Sequence, residues 1–133
     1  HVPVTVHVSI GADITHMHPQ ASGRDMGEST LVDFRILARI VAGLDGGVWM
    51  NLGSAVMMPE VFLKAVSVAR NLGYKLTEFT TANLDMIQHY RPKANVLARP
   101  RGKAIALTGH HEIMLPLLRA GVVAAMEGRS IRP

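Results

Sequence analysis

Gly46-Gly47-Val48-Trp49-Met50-Asn51-Leu52-Gly53-Ser54-Ala55-Val56-Met57-Met58-Pro59-Glu60 is the stretch that decides the fold of this chain. Val48 to Leu52 is an apolar run of strand length. Gly53-Ser54-Ala55 is a turn of small residues, and Pro59 suits the first turn of a helix, where a missing N–H loses no partner. That helix carries Phe62, Val66 and Ala69 on one stripe with Leu63 beside it, while Lys64 and Asn71 face away. Gly73 stops it. Tyr74 to Phe79 then reads as the next strand, and Thr80-Thr81-Ala82-Asn83 as the polar turn that ends it. Strand, helix and strand in that order make a βαβ unit. In open parallel sheets ligands bind at the carboxyl ends of the strands. The unit therefore says where a site belongs before it says what the site does.

Outward from this unit, Val4, Val6, Val8 and Ile10 alternate with Thr5, His7 and Ser9, which predicts a strand near 4–10. Gly11 to Gly27 has no periodicity and predicts a long loop. A helix is expected from about Thr30 to Ala42, with Thr30 and Asp33 as a capping box and Gly43 as its stop. After the second strand, Thr80 to Gly102 reads as a polar, basic segment with a short helix near Leu84 to His89. Ala104 to Leu107 is a last strand, and a helix runs from about His111 to Glu127 with Pro116 inside it. The whole predicts one α/β domain over residues 1–133, a Rossmann-like three-layer αβα arrangement with a mainly parallel sheet. Its strands fall near 4–10, 47–52, 75–80 and 104–108, and Gly11, Gly53, Thr81 and Gly109 are expected at one edge. Four strands are few for a sheet covered on both faces, and the chain opens directly on a strand. The expectation is the C-terminal part of something longer.

Hydrophobic residues make up 48% and charged residues 18% of the chain. That balance argues against long disordered regions. No apolar run reaches the roughly 18 residues of a membrane span, and no apolar leader opens the chain. Cysteine is absent, which removes disulfides, thiolate nucleophiles and thiolate metal sites. A cytoplasmic home is the default. The net charge is +4, much of it in Arg91, Lys93, Arg99, Arg101 and Lys103. That run reads first as a solvated loop and second as a phosphate-attracting patch. Nucleic-acid binding is not favoured, because only Tyr90 stands near as a stacking platform.

The residues that carry chemistry cluster at the predicted strand ends. Gly53 and Ser54 let a ligand approach the backbone, and the helix after them aims amide groups at an anion. Gly109-His110-His111-Glu112 stands where the last strand meets the last helix, so His110 or His111 is a candidate general base. Glu60 has either that role or a purely dipole-complementing one. His16 and His18, near Asp13, form a weak metal-ligand pattern that would suit a metal-dependent hydrolase. No metal site is assigned from it. No phosphate-loop lysine motif, G-x-G-x-x-G fingerprint or G-x-S-x-G elbow is present.

Val2-Pro3-Val4, the loop with Gly11 and Asp13, Leu52-Gly53-Ser54-Ala55-Val56, Thr81-Ala82-Asn83 and Leu115-Pro116-Leu117-Leu118 resemble, in order and spacing, the C-terminal half of the deoxyhypusine synthase family. The nearest look-alikes are bacterial members of unassigned function, and the resemblance covers about Val2 to Val123. It implies a Rossmann-like fold, NAD held between subunits and a tetramer built from dimers. It implies NAD contacts near Gly11, Asp13, Thr81, Ala82 and His110, with Gly53, Ser54 and Asn83 beside them. Two departures matter. Where the family has paired histidines this chain has Pro59-Glu60. Where the family has its imine-forming lysine this chain has Val96-Leu97-Ala98, with no lysine between Lys93 and Lys103. Imine chemistry requires that amine. The expectation is an NAD- or nucleotide-binding enzyme acting on a small amine or alcohol, without deoxyhypusine synthesis, in a homodimer or homotetramer. The loops Gly11–Gly27 and Thr81–Gly102 are expected near the subunit interface. The rivals are the metal-dependent hydrolase and a non-catalytic assembly or regulatory domain.

Overall fold

The computed structural model describes residues 2–128. Its sheet has three parallel strands in sequential order, β1 (Val48–Leu52), β2 (Thr80–Asp85) and β3 (Lys103–Thr108). Val48 pairs with Thr80 and Thr80 with Lys103, so the three strands start level. Two helices precede and follow β1: α1 (Gly23–Ala42) and α2 (Met57–Asn71). A short helical turn, α3 (Tyr90–Pro92), runs straight into a π-helical segment, Lys93–Ala98, and α4 (His111–Met126) closes the described chain. The architecture is mixed α/β with a small open parallel sheet flanked by helices, compatible with a Rossmann-like αβα layering. Among the described residues no helix is long and apolar enough to cross a membrane.

The core forms on one side of the sheet. α2 turns Phe62, Ala65, Val66 and Ala69 inward against Leu37 and Val41 of α1, and Val96 of the π segment joins them. Trp49 stacks on Phe62 with ring centroids 4.2 Å apart and planes 10° from parallel. Both crossovers, through α2 and through the α3–π segment, lie on this inner face. A sequential strand order with crossovers of one hand requires that. Burying a side chain such as Phe62 contributes roughly 1.5–3 kcal/mol. The predicted stripe of α2 and the outward Lys64 and Asn71 are as the periodicity gave them.

Two expected strands fail for the same physical reason, and other expectations shift with them: side chains far along the chain take backbone donors that a ladder would use. Val2 to Ile10 forms no strand. Val6 N donates to Asp33 Oδ2 at 2.7 Å and Val8 N to Thr30 Oγ1 at 3.0 Å, so this arm is tethered to α1. Thr30 and Asp33 are thereby mid-helix anchors and not a capping box. The helix starts earlier, capped by Ser22, whose hydroxyl accepts from Asp25 N at 3.2 Å. Tyr74 to Phe79 is likewise not a strand. Thr77 N and Glu78 N both donate to Asp45 Oδ1 at 2.8 Å, and Arg70 Nη2 donates to Leu76 O at 2.8 Å. Pairing begins only at Thr80, so Thr80–Asn83 is the body of the central strand where a closing turn was expected. The short helix expected near Leu84 to His89 lies at Tyr90–Pro92 and continues as the π segment.

Candidate site at the carboxyl edge of the sheet

Each strand brings one polar feature to its carboxyl end. β1 ends in Gly53, whose N–H extends the pairing by donating to Leu84 O at 3.1 Å. Its φ of +64° then turns the chain away, in the left-handed region that favours glycine. A Cβ on Gly53 would stand 3.1 Å from Cε1 of His111, so the bare backbone is what lets the imidazole lie there. His111, in the first turn of α4, places Nε2 2.9 Å from the same Leu84 carbonyl. A carbonyl only accepts, so Nε2 carries the hydrogen and Nδ1 is left as the ring's acceptor. One carbonyl oxygen thus joins β1, β2 and α4.

Beneath this junction a line of amides crosses all three strands. Asn51 Nδ2 donates to Ser54 O at 2.9 Å and to Asn83 Oδ1 at 2.6 Å. Asn83 Nδ2 donates to Gln88 Oε1 at 2.7 Å, and Gln88 Nε2 donates to Leu107 O at 3.0 Å. Asn51 and Asn83 are fully buried register partners. Buried amides cost free energy unless paired, and this ladder pairs both side chains through all but Asn51 Oδ1 while fixing the turn over which α2 begins. Ser54 Oγ accepts from Met58 N, in the first turn of that helix, at 3.1 Å. Asn51 Oδ1 is buried without a partner, as are Thr81 Oγ1 and Trp49 Nε1. Asp85 ends β2, and Gly109 N donates to its carbonyl at 3.3 Å, which brings the start of α4 to the same edge.

Gly53, Ser54, Gly109, His110 and His111 are therefore gathered where the βαβ argument puts them. Thr81 is not. It pairs with Trp49 and Ala104 near the amino end of β2, buried under the helical layer, about 13 Å along the strand from Asp85. Ala82 lies on the opposite face from it, between Met50 and Ile105. Asn83 belongs to the amide ladder and is closed to solvent.

Gly11 and Asp13 sit on the arm, beside a groove of about 350 Å³ that also borders Met57 at the start of α2. Asp13 caps the short turn Ile14–Met17 by accepting from Thr15 N and Thr15 Oγ1, both at 2.8 Å. The Thr15 backbone bond, then its hydroxyl, hold the Asp13 carboxyl below the usual carboxylate range. His16 Nδ1 accepts from Gly11 N at 2.9 Å, and His18 Nδ1 accepts from Gln20 N at 3.2 Å. These side chains build their own loop, and among the described residues no three His, Asp or Glu side chains gather to hold a metal ion.

Glu60 lies on α2, half-exposed, in contact with Lys64, with Arg91 at 3.4 Å and with Asn95 Nδ2 at 2.7 Å. The Lys64 hydrogen bond, with the charges of Lys64 and Arg91 behind it, holds its carboxyl below the usual range. A carboxylate so held is a poor proton acceptor near neutrality. The residues that sequence reading passed over are Asn51, Gln88 and Asp85. The available signal was an asparagine inside an apolar strand, Val48-Trp49-Met50-Asn51-Leu52.

No protein-family model, no curated protein and no solved structure matches this chain.

Proposed function

We propose that this chain is the nucleotide-binding part of a deoxyhypusine synthase-like enzyme, taking NAD or a related nucleotide at the carboxyl edge of a Rossmann-like sheet. One observation carries the reading: the first turns of α2 and α4, the bare backbone of Gly53 and the imidazole of His111 converge at the ends of parallel strands. In this reading the Gly53–Ala55 turn and the start of α2 receive the pyrophosphate, through backbone N–H groups and the positive end of the helix. Asp85, at the end of the neighbouring strand, is positioned to accept from ribose hydroxyls, the role a carboxylate has at that place in dinucleotide-binding sheets. The fit is partial. The small-residue turn suits a phosphate, whereas Thr81, Ala82 and Asn83 are enclosed in the sheet and take no part.

When bound, nicotinamide supplies a hydride acceptor. The chain's contribution is His111, whose Nε2–H is fixed on Leu84 O, leaving Nδ1 to take a proton from a small amine or alcohol substrate. His110, exposed at the start of α4, is the second candidate base. Glu60 anchors α2 to the α3–π segment through Arg91 and Asn95 and is set aside as a base. Lysine-imine transfer is excluded from the proposal, because Val96 is buried in the core at the matching place and no lysine stands within Val96–Ala98. The proposed working form is a cytoplasmic homodimer or homotetramer.

Calorimetric titration of the full chain with NAD, and separately with ADP-ribose, tests this. Saturable binding is expected, weakened by Gly53→Val and by Asp85→Ala, with folding monitored by circular dichroism. Borohydride added with spermidine and NAD should trap no covalent adduct. A folded protein that binds neither nucleotide at millimolar concentration would sink the proposal.

A further inference from the structure

We propose that the turn at residues 11–17 is a proton-operated gate on the groove between the arm and α2, held shut by the unprotonated imidazole of His16 and released when that ring takes up a proton. The inference goes beyond nucleotide binding and does not depend on it.

One nitrogen carries the closure. His16 Nδ1 accepts from Gly11 N at 2.9 Å and from Asp13 N at 3.4 Å. The first bond ties down Gly11, whose φ of +90° lies in the left-handed region. The second reciprocates the cap that Asp13 gives to the Ile14–Met17 turn. His18 repeats the arrangement further on, its Nδ1 accepting from Gln20 N at 3.2 Å. A backbone N–H only donates, so Nδ1 is bare in both rings and the ring hydrogen sits on Nε2.

An imidazolium carries hydrogen on both nitrogens and accepts from nothing. On protonation Nδ1–H of His16 would face two further donors, Gly11 N–H and Asp13 N–H, with no acceptor among them. The closed turn cannot keep that geometry. Gly11 and Asp13 are exposed, so water receives the freed N–H groups once the turn opens. The opening is local. Val6 and Val8 stay tethered to Asp33 and Thr30 of α1, and neither the Ala12 N to Ser9 O bond at 3.0 Å nor the His18 N to Thr15 O bond at 3.2 Å involves a ring nitrogen. What moves is a wall of the groove of about 350 Å³, where Ala12, Asp13, Thr15 and His16 face Met57 of α2. Imidazole is the side chain that ordinarily changes charge between pH 5 and 8, so mild acid is the trigger.

The surroundings assist the change. Asp13 faces His16 from the same turn, and its carboxylate, held below the usual range by the Thr15 bonds, stays charged and attracts an imidazolium. His7 lines the groove from the arm. Burial pushes its imidazole below the usual value against the pull of Asp33 on α1, so it brings no like charge while His16 protonates. α2 contributes Met57, which carries no charge. A released imidazolium has the Asp13 carboxylate as its new partner.

Nitrogen and amide NMR spectra of the full chain between pH 8 and pH 5 test the proposal. At pH 8 the His16 ring should show hydrogen on Nε2 alone. On acidification the Gly11 and Asp13 amide protons should move to open-chain positions with the same midpoint as the His16 ring nitrogens, while the buried Thr81 amide stays in place. His16→Asn is the decisive variant, because its Oδ1 lies two bonds from Cβ as Nδ1 does and does not titrate. It should hold the Gly11 amide in the closed position throughout, and His16→Ala should leave it open at both ends of the range. His7→Gln and His18→Asn should keep the Gly11 transition. At pH 5 proteolysis within residues 11–17 should run on the order of 10-fold faster in the wild type than in His16→Asn, the fold-change of one or two net hydrogen bonds. Hydrogen on Nδ1 of His16 at pH 8, a Gly11 amide that does not follow His16, or a His16→Asn variant with the wild-type transition would overturn the proposal.

Discussion

Trp49, Asn51, Thr81 and Asn83 lie on the inner face of the sheet beneath α2 and the π segment, and three of these four are polar. One residue along each strand, Val48, Met50, Leu52, Ile105 and Leu107 point to the outer face, all apolar and all open. At β1 and β2 the buried inner residues are largely polar, whereas the outer face leaves these five apolar residues exposed and buries only Ala82 and Leu84 of β2. Burial follows from what an element's partners can satisfy, and hydrophobicity alone does not dictate it. Asn51 and Asn83 stay buried because each amide finds the other, Ser54 O or Gln88. α4 reaches over the outer face at β2, where Leu84 is buried while Leu52 and Leu107 beside it stay open.

The strongest test of this contrast removes the inner anchor. Phe62→Ala should cost about 3–5 kcal/mol, the range for a large buried aromatic. Urea denaturation followed through Trp49, which is the only tryptophan and stacks on Phe62, would measure it. The loss should not depend on protein concentration. Met50→Ala on the outer face, where the side chain is 44% exposed, should cost well under that amount, and a loss equal to that of Phe62→Ala would erase the distinction between the faces.

Breaking the amide ladder should be the next largest effect. Asn51→Ala leaves Asn83 Oδ1 without its donor and should cost about 1–3 kcal/mol. An equal gain in stability would mean that the ladder is not what makes the polar face tolerable. Gly53→Ala forces a Cβ onto the His111 ring at a φ of +64° and should cost about 1–3 kcal/mol. The His111 imidazole signals should shift in the NMR spectrum of that variant, while Gly73→Ala, with open space around it, should leave them in place.

The smallest effect concerns pH. Hydrogen bonds from Glu78 N and then Thr77 N hold the Asp45 carboxyl below its ordinary value of 3.8. A carboxyl whose folded value lies below its unfolded one stabilises above the unfolded value. That stabilisation is lost as pH falls through the depressed folded value. Wild-type stability should therefore decline with acid below about 4, and Asp45→Ala should show a shallower decline. Identical acid slopes would remove Asp45 as the anchor of the approach to β2.

The sequence made some of this legible and hid the rest. β1, α2 and the start of α4 announce themselves because their signals are local: an apolar run, a proline in a first turn, a glycine stop, periodic apolar residues. The arm and Tyr74–Phe79 deceive because their β-branched or aromatic patterns are sound strand patterns. Their donors are taken by Asp33, Thr30 and Asp45, 22 to 33 residues away, and no local pattern reports such bonds. The carboxyl-edge position of Gly53, His110 and His111 was readable from the βαβ rhythm. Asn83 was misread as a turn residue because its partners, Asn51 and Gln88, meet it only once the strands have paired.

The sequential strand order also governs how the chain comes together. Val48 meets Thr80 and Thr80 meets Lys103, so every ladder closes over an interval of 32 or 23 residues. Closure entropy rises only slowly with loop length, and neither interval must wait for a distant end of the chain. As the polypeptide leaves the ribosome, β2 can dock on β1 once α2 has covered it, and β3 can then add to a surface already formed. Refolding should accordingly report β1, α2 and β2 in one early step, with protection of the β3 amides following it.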